Sequence, residues 1–151
     1  MPVLPIPAER GTYALVCICG TDTTIQAGRL GPVALRRGYY VYVGSAFGPG
    51  GLRARLEHHL RIARSPHWHI DYLRARAPVG RIWYCLGQLQ REHQWAAAMG
   101  GTPVARFGSS DCACESHLFW FSRLPGLRGF RARLLEVDPD HPRLFARGPG
   151  F

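Results

Sequence analysis

Seven consecutive residues constrain this chain more than any other stretch: Gly38-Tyr39-Tyr40-Val41-Tyr42-Val43-Gly44. Tyrosine and valine alternate, as on a pleated ribbon whose two faces meet different surroundings. Gly48-Pro49-Gly50-Gly51 then breaks the chain sharply. Beyond the break, Leu52, Leu56, Leu60 and Ala63 fall at helical spacing, which predicts a helix over residues 52–63 with one apolar stripe. Strand, sharp turn and helix therefore follow one another here, with the strongest strand signal in the chain at their start.

The rest of the chain reads around this unit. Residues 12–19 are apolar, aromatic and β-branched, and predict a buried strand. Residues 24–27 predict a short strand, 68–75 a short helix after Ser65-Pro66, and 79–86 a further strand. Residues 90–99 predict a helix stopped by Gly100-Gly101, 117–121 a strand and 130–137 a terminal helix. Pro2, Pro5 and Pro7 make residues 1–10 an extended arm, and Pro139, Pro142, Gly148 and Gly150 make 138–151 a flexible tail. The expected class is α+β, a small, mainly antiparallel mixed sheet flanked by helices. A length of 151 residues with 46% hydrophobic residues suits one core.

Charge narrows the partners. The formal net charge is +9, from 19 basic against 10 acidic residues, and every basic side chain is arginine. Such an excess attracts polyanions, of which nucleic acid is the commonest, and arginine forks onto phosphate oxygens. The longest apolar run, residues 13–19, is far short of the ~20 residues a spanning helix requires. The N-terminus lacks the pattern of a secretion signal, so a cytoplasmic protein with five reduced cysteines is expected.

Hydrolysis of a phosphodiester requires a base for water, cations for the developing charge and, commonly, a divalent metal. Arg55 and His59 lie four apart and share a helix face. Taken alone, that face reads first as a solvated basic surface that contacts nothing. Glu92 opens a helix, where an acid also serves the helix dipole. Tyr13 and Tyr42 lie on strands, where a tyrosine is commonly a packed aromatic.

Together these residues resemble a known family. Gly11-Thr12-Tyr13 looks like the first element of GIY-YIG nucleases, and Tyr42-Val43-Gly44, extended by Ser45-Ala46, looks like the second. The helix with Leu52, Arg55 and His59 is similar to the family helix that carries an essential arginine, and Glu92 falls where the family keeps a metal-binding glutamate. Gly108-Ser109-Ser110-Asp111-Cys112 and Ser116-His117-Leu118-Phe119 resemble the Uri-type branch, whose members are sometimes joined to DNA-repair glycosylase domains.

The resemblance implies a nuclease domain over 11–137 with a family-specific extension from about residue 100, and a metal-dependent endonuclease acting on nucleic acid, DNA first, with repair proteins as possible partners. One Mg2+ or Mn2+ ion would sit at Glu92. Tyr13, helped by Tyr42 or His59, would take the proton of the attacking water, and Arg55 would stabilise the phosphorane, its charge and the metal's favouring the Tyr13 phenolate. Arg53, His58, Arg61 and Ser45 would contact the nucleic acid. Arg53 and His58 are also register alternatives to Arg55 and His59; the latter pair leaves Leu52 and Leu56 buried.

The chain departs from the family pattern in several ways. Tyr13 and Tyr42 are 29 positions apart, longer than a short hairpin, so residues 24–37 form an insertion, an extra strand or a substrate-facing loop. Thr12 and Val43 stand where the family has isoleucine. Cys112, Cys114 and His117, with Cys85 and His93 as spatial candidates, offer zinc ligands at a spacing that is not a standard finger. His67, Trp68, His69 and Asp71 line a groove or simply start a helix. The alternative to an enzyme is a non-catalytic nucleic-acid-binding module, with Trp83, Trp95 and Trp120 exposed to stack on bases.

Overall fold

The fold is that of a computed structural model, which describes residues 6–61, 68–107 and 116–148. The tyrosine-valine segment is strand β4 (Gly38–Ala46), paired antiparallel along its whole length with β1 (Gly11–Cys19). β1 is flanked on its other side by β5 (Val79–Leu86). A strand paired on both edges and covered on both faces is mainly apolar, as β1 is apart from Thr12 and the Tyr13 hydroxyl. β2 (Thr23–Gln26) and β3 (Pro32–Leu35) form a separate hairpin. β6 (Thr102–Pro103), β7 (Leu118–Phe121) and β8 (Phe145–Arg147) complete a six-stranded sheet of order β6-β7-β4-β1-β5-β8, antiparallel at every pairing. The class is the α+β expected, with no parallel pair among the described strands.

Among the described residues, four helices flank the sheet: α1 (Gly51–Leu60), α2 (His69–Arg74), α3 (Glu92–Ala98) and α4 (Leu127–Val137). Leu52, Leu56, Ile70 and Leu73 from α1 and α2 pack on the face that carries Tyr13, Leu15, Cys17 and Tyr40. Trp95, Met99, Phe130 and Leu134, on and around α3 and α4, pack on the face that carries Ala14, Val16, Val41, Val43 and Trp83. The period-two alternation of β1 and β4 thus separates two cores. Ala63, predicted to extend α1, lies outside the described residues.

The chain ends differ from expectation. Residues 6–10 are seated on α1 rather than extended away from it. The N-cap of α1, Gly50, has no side chain to satisfy the first helical N–H groups. The preceding segment does so instead: Leu52 N–H donates to Glu9 O at 2.8 Å and Arg53 N–H to Pro7 O at 3.2 Å, with Ile6 only 1% exposed beneath. At the other end, residues 145–147 are strand β8 and Leu144 is buried, so this part of the expected tail belongs to the core. Prolines masked it by removing the periodic signal. The 24–37 insertion is the β2–β3 hairpin, with a 3-10 turn (Gly28–Leu30) between its strands, and its Ile25, Val33 and Leu35 join the core. Trp83 and Trp95 are 2% and 0% exposed, so neither is a stacking surface; half-buried Trp120 has the Arg36 guanidinium 3.7 Å from its ring.

Candidate active site

The site begins at a missing side chain. Gly44 stands opposite Tyr13 in the β1–β4 register. Any Cβ there would overlap the Tyr13 ring and hydroxyl. Glycine lets the phenol lie across β4. Gly11 plays a similar part at the start of β1, where a Cβ would strike the Cys85 carbonyl and the Leu52 side chain. Helix α1 therefore crosses close over the sheet, and His59, one turn from Leu56, points down at Tyr13.

Tyr13 and His59 form a buried pair, with Oη and Nε2 2.6 Å apart. Burial first, then the charges of Arg74, Arg55 and His58, push the His59 pKa down to about 3, with Asp71 opposing. The imidazole is neutral near pH 7, and its Nε2 lone pair is free to accept the Tyr13 O–H. Its Nδ1 is buried with no partner among the described residues. Burial also holds the Tyr13 phenol well above its ordinary range; the charge and hydrogen bond of Arg55 pull it down, while Glu92 and Asp71 push it up. Arg55 thus favours the phenolate in the expected direction, while desolvation acts against it and outweighs the guanidinium. Tyr42 is raised in the same way, by burial first and then by Tyr13 and Glu92. Its ring meets that of His59 edge-on at 6.3 Å.

Arg55 is half-buried, with its guanidinium carbon 4.6 Å from the centre of the Trp68 ring. The contact with Trp68 places the Arg55 charge close enough to lower the pKa of Tyr13 and of Glu92. Helix α2 locks the arrangement. The buried Asp71 carboxylate accepts Trp68 N–H at 3.0 Å and lies 3.2 Å from Arg74 and 3.3 Å from His58 Nε2. Arg74 also donates to the carbonyls of His59 and Arg61, closing the C-terminal end of α1. Asp71 and the neighbouring Trp68 therefore serve the helix start and hold His58. His69 packs its ring against Phe107 at 5.3 Å.

Glu92 is the first residue of α3, and that helix start is pinned from two sides. Arg91 N–H donates to Thr12 Oγ1 at 3.4 Å, and the Arg91 guanidinium pairs with Asp138. The Trp95 indole N–H bonds His141 Nε2 at 2.9 Å, so the segment after α4 also holds α3 in place. Burial raises the Glu92 pKa; the charges of His93 and Arg55 and the nearby Ser45 hydroxyl lower it. Ser45 Oγ is buried and short of a formed hydrogen bond, yet close enough to favour the ionised carboxylate.

All five expected catalytic residues thus converge at one end of the sheet, from four elements. The expected nucleic-acid contacts separate. Ser45 lies within the site, and His58 borders it, paired with Asp71 and ring-stacked edge-on with Trp68 at 4.8 Å. Arg53 turns its Nε to Ile6 O at 2.8 Å, a structural tie to the N-terminal segment. Arg61 is exposed beyond the end of α1. Of the zinc candidates, Cys112 and Cys114 lie outside the described residues, and Cys85 is buried against Thr12. His117 instead faces Glu92, with Nδ1 to Oε1 3.7 Å, and its ring lies 5.9 Å from that of His93. One ligand atom from each of Glu92, His93 and His117 lies within 4.8 Å of the others, a donor set that fits a divalent metal. The joint role of His93 and Glu92 and the anchoring by Asp71 and Arg74 were not anticipated; a histidine directly after the first acid of a helix was the available signal for the former.

An antiparallel sheet with a buried tyrosine–histidine pair, an arginine and an acid at one rim defines a fold with a built polar site. The chain matches the family model described as a domain of unknown function, DUF123, over residues 12–136, and belongs to that family. No curated protein matches it, and neither does any solved structure. Among the described residues, no helix is long and apolar enough to cross a membrane.

Proposed function

We propose that this protein is a metal-dependent endonuclease of the GIY-YIG kind that hydrolyses phosphodiester bonds in nucleic acid, DNA first, with a Uri-type relationship and a place in repair. One observation carries the reading: Tyr13, Tyr42, Arg55, His59 and Glu92, scattered over 80 positions of sequence, meet at one end of the sheet. A pure binding module needs Arg55 but gains nothing from a carboxylate beside it, since Glu92 would repel phosphate.

The chain's own residues account for the proton. Water gives a proton to Tyr13 Oη as the Tyr13 proton passes to His59 Nε2, so the phenol relays without becoming a free phenolate. The resulting imidazolium is costly in isolation, and Asp71 together with the negative charge of an incoming phosphate offsets that cost. The hydroxide attacks phosphorus, the bond to the 3′ oxygen breaks, and Arg55 neutralises charge on the non-bridging oxygens. Glu92 would hold a divalent ion, which would supply Lewis-acid stabilisation of the negative charge developing on the leaving group. Tyr42 closes the apolar wall beside His59 and keeps bulk water from the pair.

The test incubates the protein with labelled single-stranded DNA, duplex DNA, branched DNA and RNA, with Mg2+, Mn2+ or chelator, beside Glu92→Gln and Arg55→Ala. Metal-dependent cutting that both substitutions abolish, with substrate binding kept in Glu92→Gln, is the expected result. Binding without cutting by the unaltered protein on every substrate favours the non-catalytic module or partner of a repair enzyme.

A further inference from the structure

The nuclease reading uses one carboxylate for the ion, yet two imidazoles accompany it. Neighbouring residues on a helix point about 100° apart, so Glu92 and His93 do not meet by helical geometry alone. They converge because His117 approaches from another part of the chain and all three ligand atoms fall within 4.8 Å. Two atoms bound to one ion at about 2.1 Å lie about 3.4 Å apart at a tetrahedral angle and about 3.0 Å at an octahedral cis angle, so the widest separation closes by up to about 1.4–1.8 Å on binding. Exposed His93 is free to make that adjustment.

The cluster has the build of a site with a fixed back and an open front. The His117 side chain is 3% exposed, and its main chain is clamped on both sides: N–H to Phe107 O at 2.8 Å, and O from Val43 N–H at 2.9 Å. Glu92 is 24% exposed at its side chain, and His93 faces a shallow cavity of about 340 Å³ together with Ser116 and Phe119. Three protein ligands with solvent beyond leave coordination positions for water or phosphate. The chemistry of the donors selects the ion. Mg2+ takes oxygen ligands and keeps its waters, whereas imidazole nitrogen suits Fe2+, Ni2+ and Zn2+, and Mn2+, the weakest binder of that first-row series, still gains more from a nitrogen ligand than Mg2+ does.

We propose that Glu92, His93 and His117 form a two-histidine, one-carboxylate site that binds a first-row transition dication in preference to Mg2+. The use of that ion in cutting rests on the nuclease reading; its binding does not. The measurement is titration of Mn2+ into the full chain, followed by loss of the free-ion electron paramagnetic resonance signal, with Mg2+ as competitor and no nucleic acid present. One Mn2+ is expected per chain, resistant to Mg2+. Its affinity should fall at least about tenfold in His93→Ala, since removal of an outer-shell partner alone costs about 10–100-fold. His93 is exposed, so this variant keeps the fold, and circular dichroism checks it; Cys112→Ser/Cys114→Ser should bind Mn2+ as the unaltered chain does. Unchanged affinity in His93→Ala, Mg2+ competing on equal terms, no bound Mn2+, or loss of binding only in the cysteine variant would each overturn the site. Tight Mn2+ binding without cleavage would leave the site standing and remove the nuclease.

Discussion

The two faces of the central sheet are built on opposite principles. The face under α3 and α4 is apolar and aromatic: Trp83 stacks on Phe130 at 5.6 Å, and Trp95 meets the same ring edge-on at 5.2 Å. The face under α1 and α2 buries Tyr13, His59 and Asp71 among its leucines. Burying polar groups costs stability unless each finds a partner. Here the Tyr13–His59 bond and the Asp71–Arg74 pair offset part of that cost, while His59 Nδ1 has no partner among the described residues. One face stabilises the fold, and the other holds groups in disfavoured environments, which is where reactive chemistry is commonly found.

That contrast can be broken or sharpened by measurement. Phe130→Ala should lower stability by about 3–5 kcal/mol in chemical denaturation, as for other buried aromatics. A loss under about 1 kcal/mol would mean that the aromatic face is not a packed core. If the protein is the nuclease proposed above, Arg55→Ala should cut turnover by about 10²–10³-fold, near the loss of one preorganised charge-stabilising donor, with little change in circular dichroism. If Arg53→Ala is the inactive variant instead, the register of α1 read here is wrong, although the bond from Arg53 to Ile6 already argues for a structural role.

Acid should separate the faces further. The His59 pKa is about 3 in the folded chain against an ordinary 6.5, so between these values the unfolded chain binds the proton and the folded chain does not. Stability therefore rises with pH across this window and is lost on acidification, at up to about 1.4 kcal/mol per pH unit from this group. The groups acting on the ring are Arg55 and His58 from α1, Asp71 and Arg74 from α2, and Tyr13 from β1. In His59→Gln that share of the slope should vanish from pH-dependent melting curves; an unchanged slope would show that His59 is not held neutral. The smallest effect belongs to Arg53→Ala, whose loss of the Ile6 hydrogen bond should cost about 1 kcal/mol and loosen residues 6–10 in hydrogen exchange.

Much of this architecture was legible in the chain. β1, β4 and β5 were predicted to within two residues at each end, because their side chains are β-branched or aromatic and their ends are marked by glycine or a polar turn. The stripe of Leu52 and Leu56 set the register of α1, and with it the inward aim of His59. The short strands β3, β6 and β8 were not legible: a run of two to four residues carries no period, and proline opens or closes two of them.

Local pattern, then, determined which residues are strand and helix, which positions are apolar, and that two tyrosines, an arginine, a histidine and a glutamate occur in order along the chain. Spacing and side-chain chemistry act over a few residues, and that is all such features require. Tertiary structure alone decided that burial keeps Tyr13 protonated and His59 neutral, that Trp83 and Trp95 are core, and that His117 stands opposite Glu92 and His93. Each of those depends on what surrounds a side chain from distant segments, because desolvation and ligand geometry are set by neighbours in space.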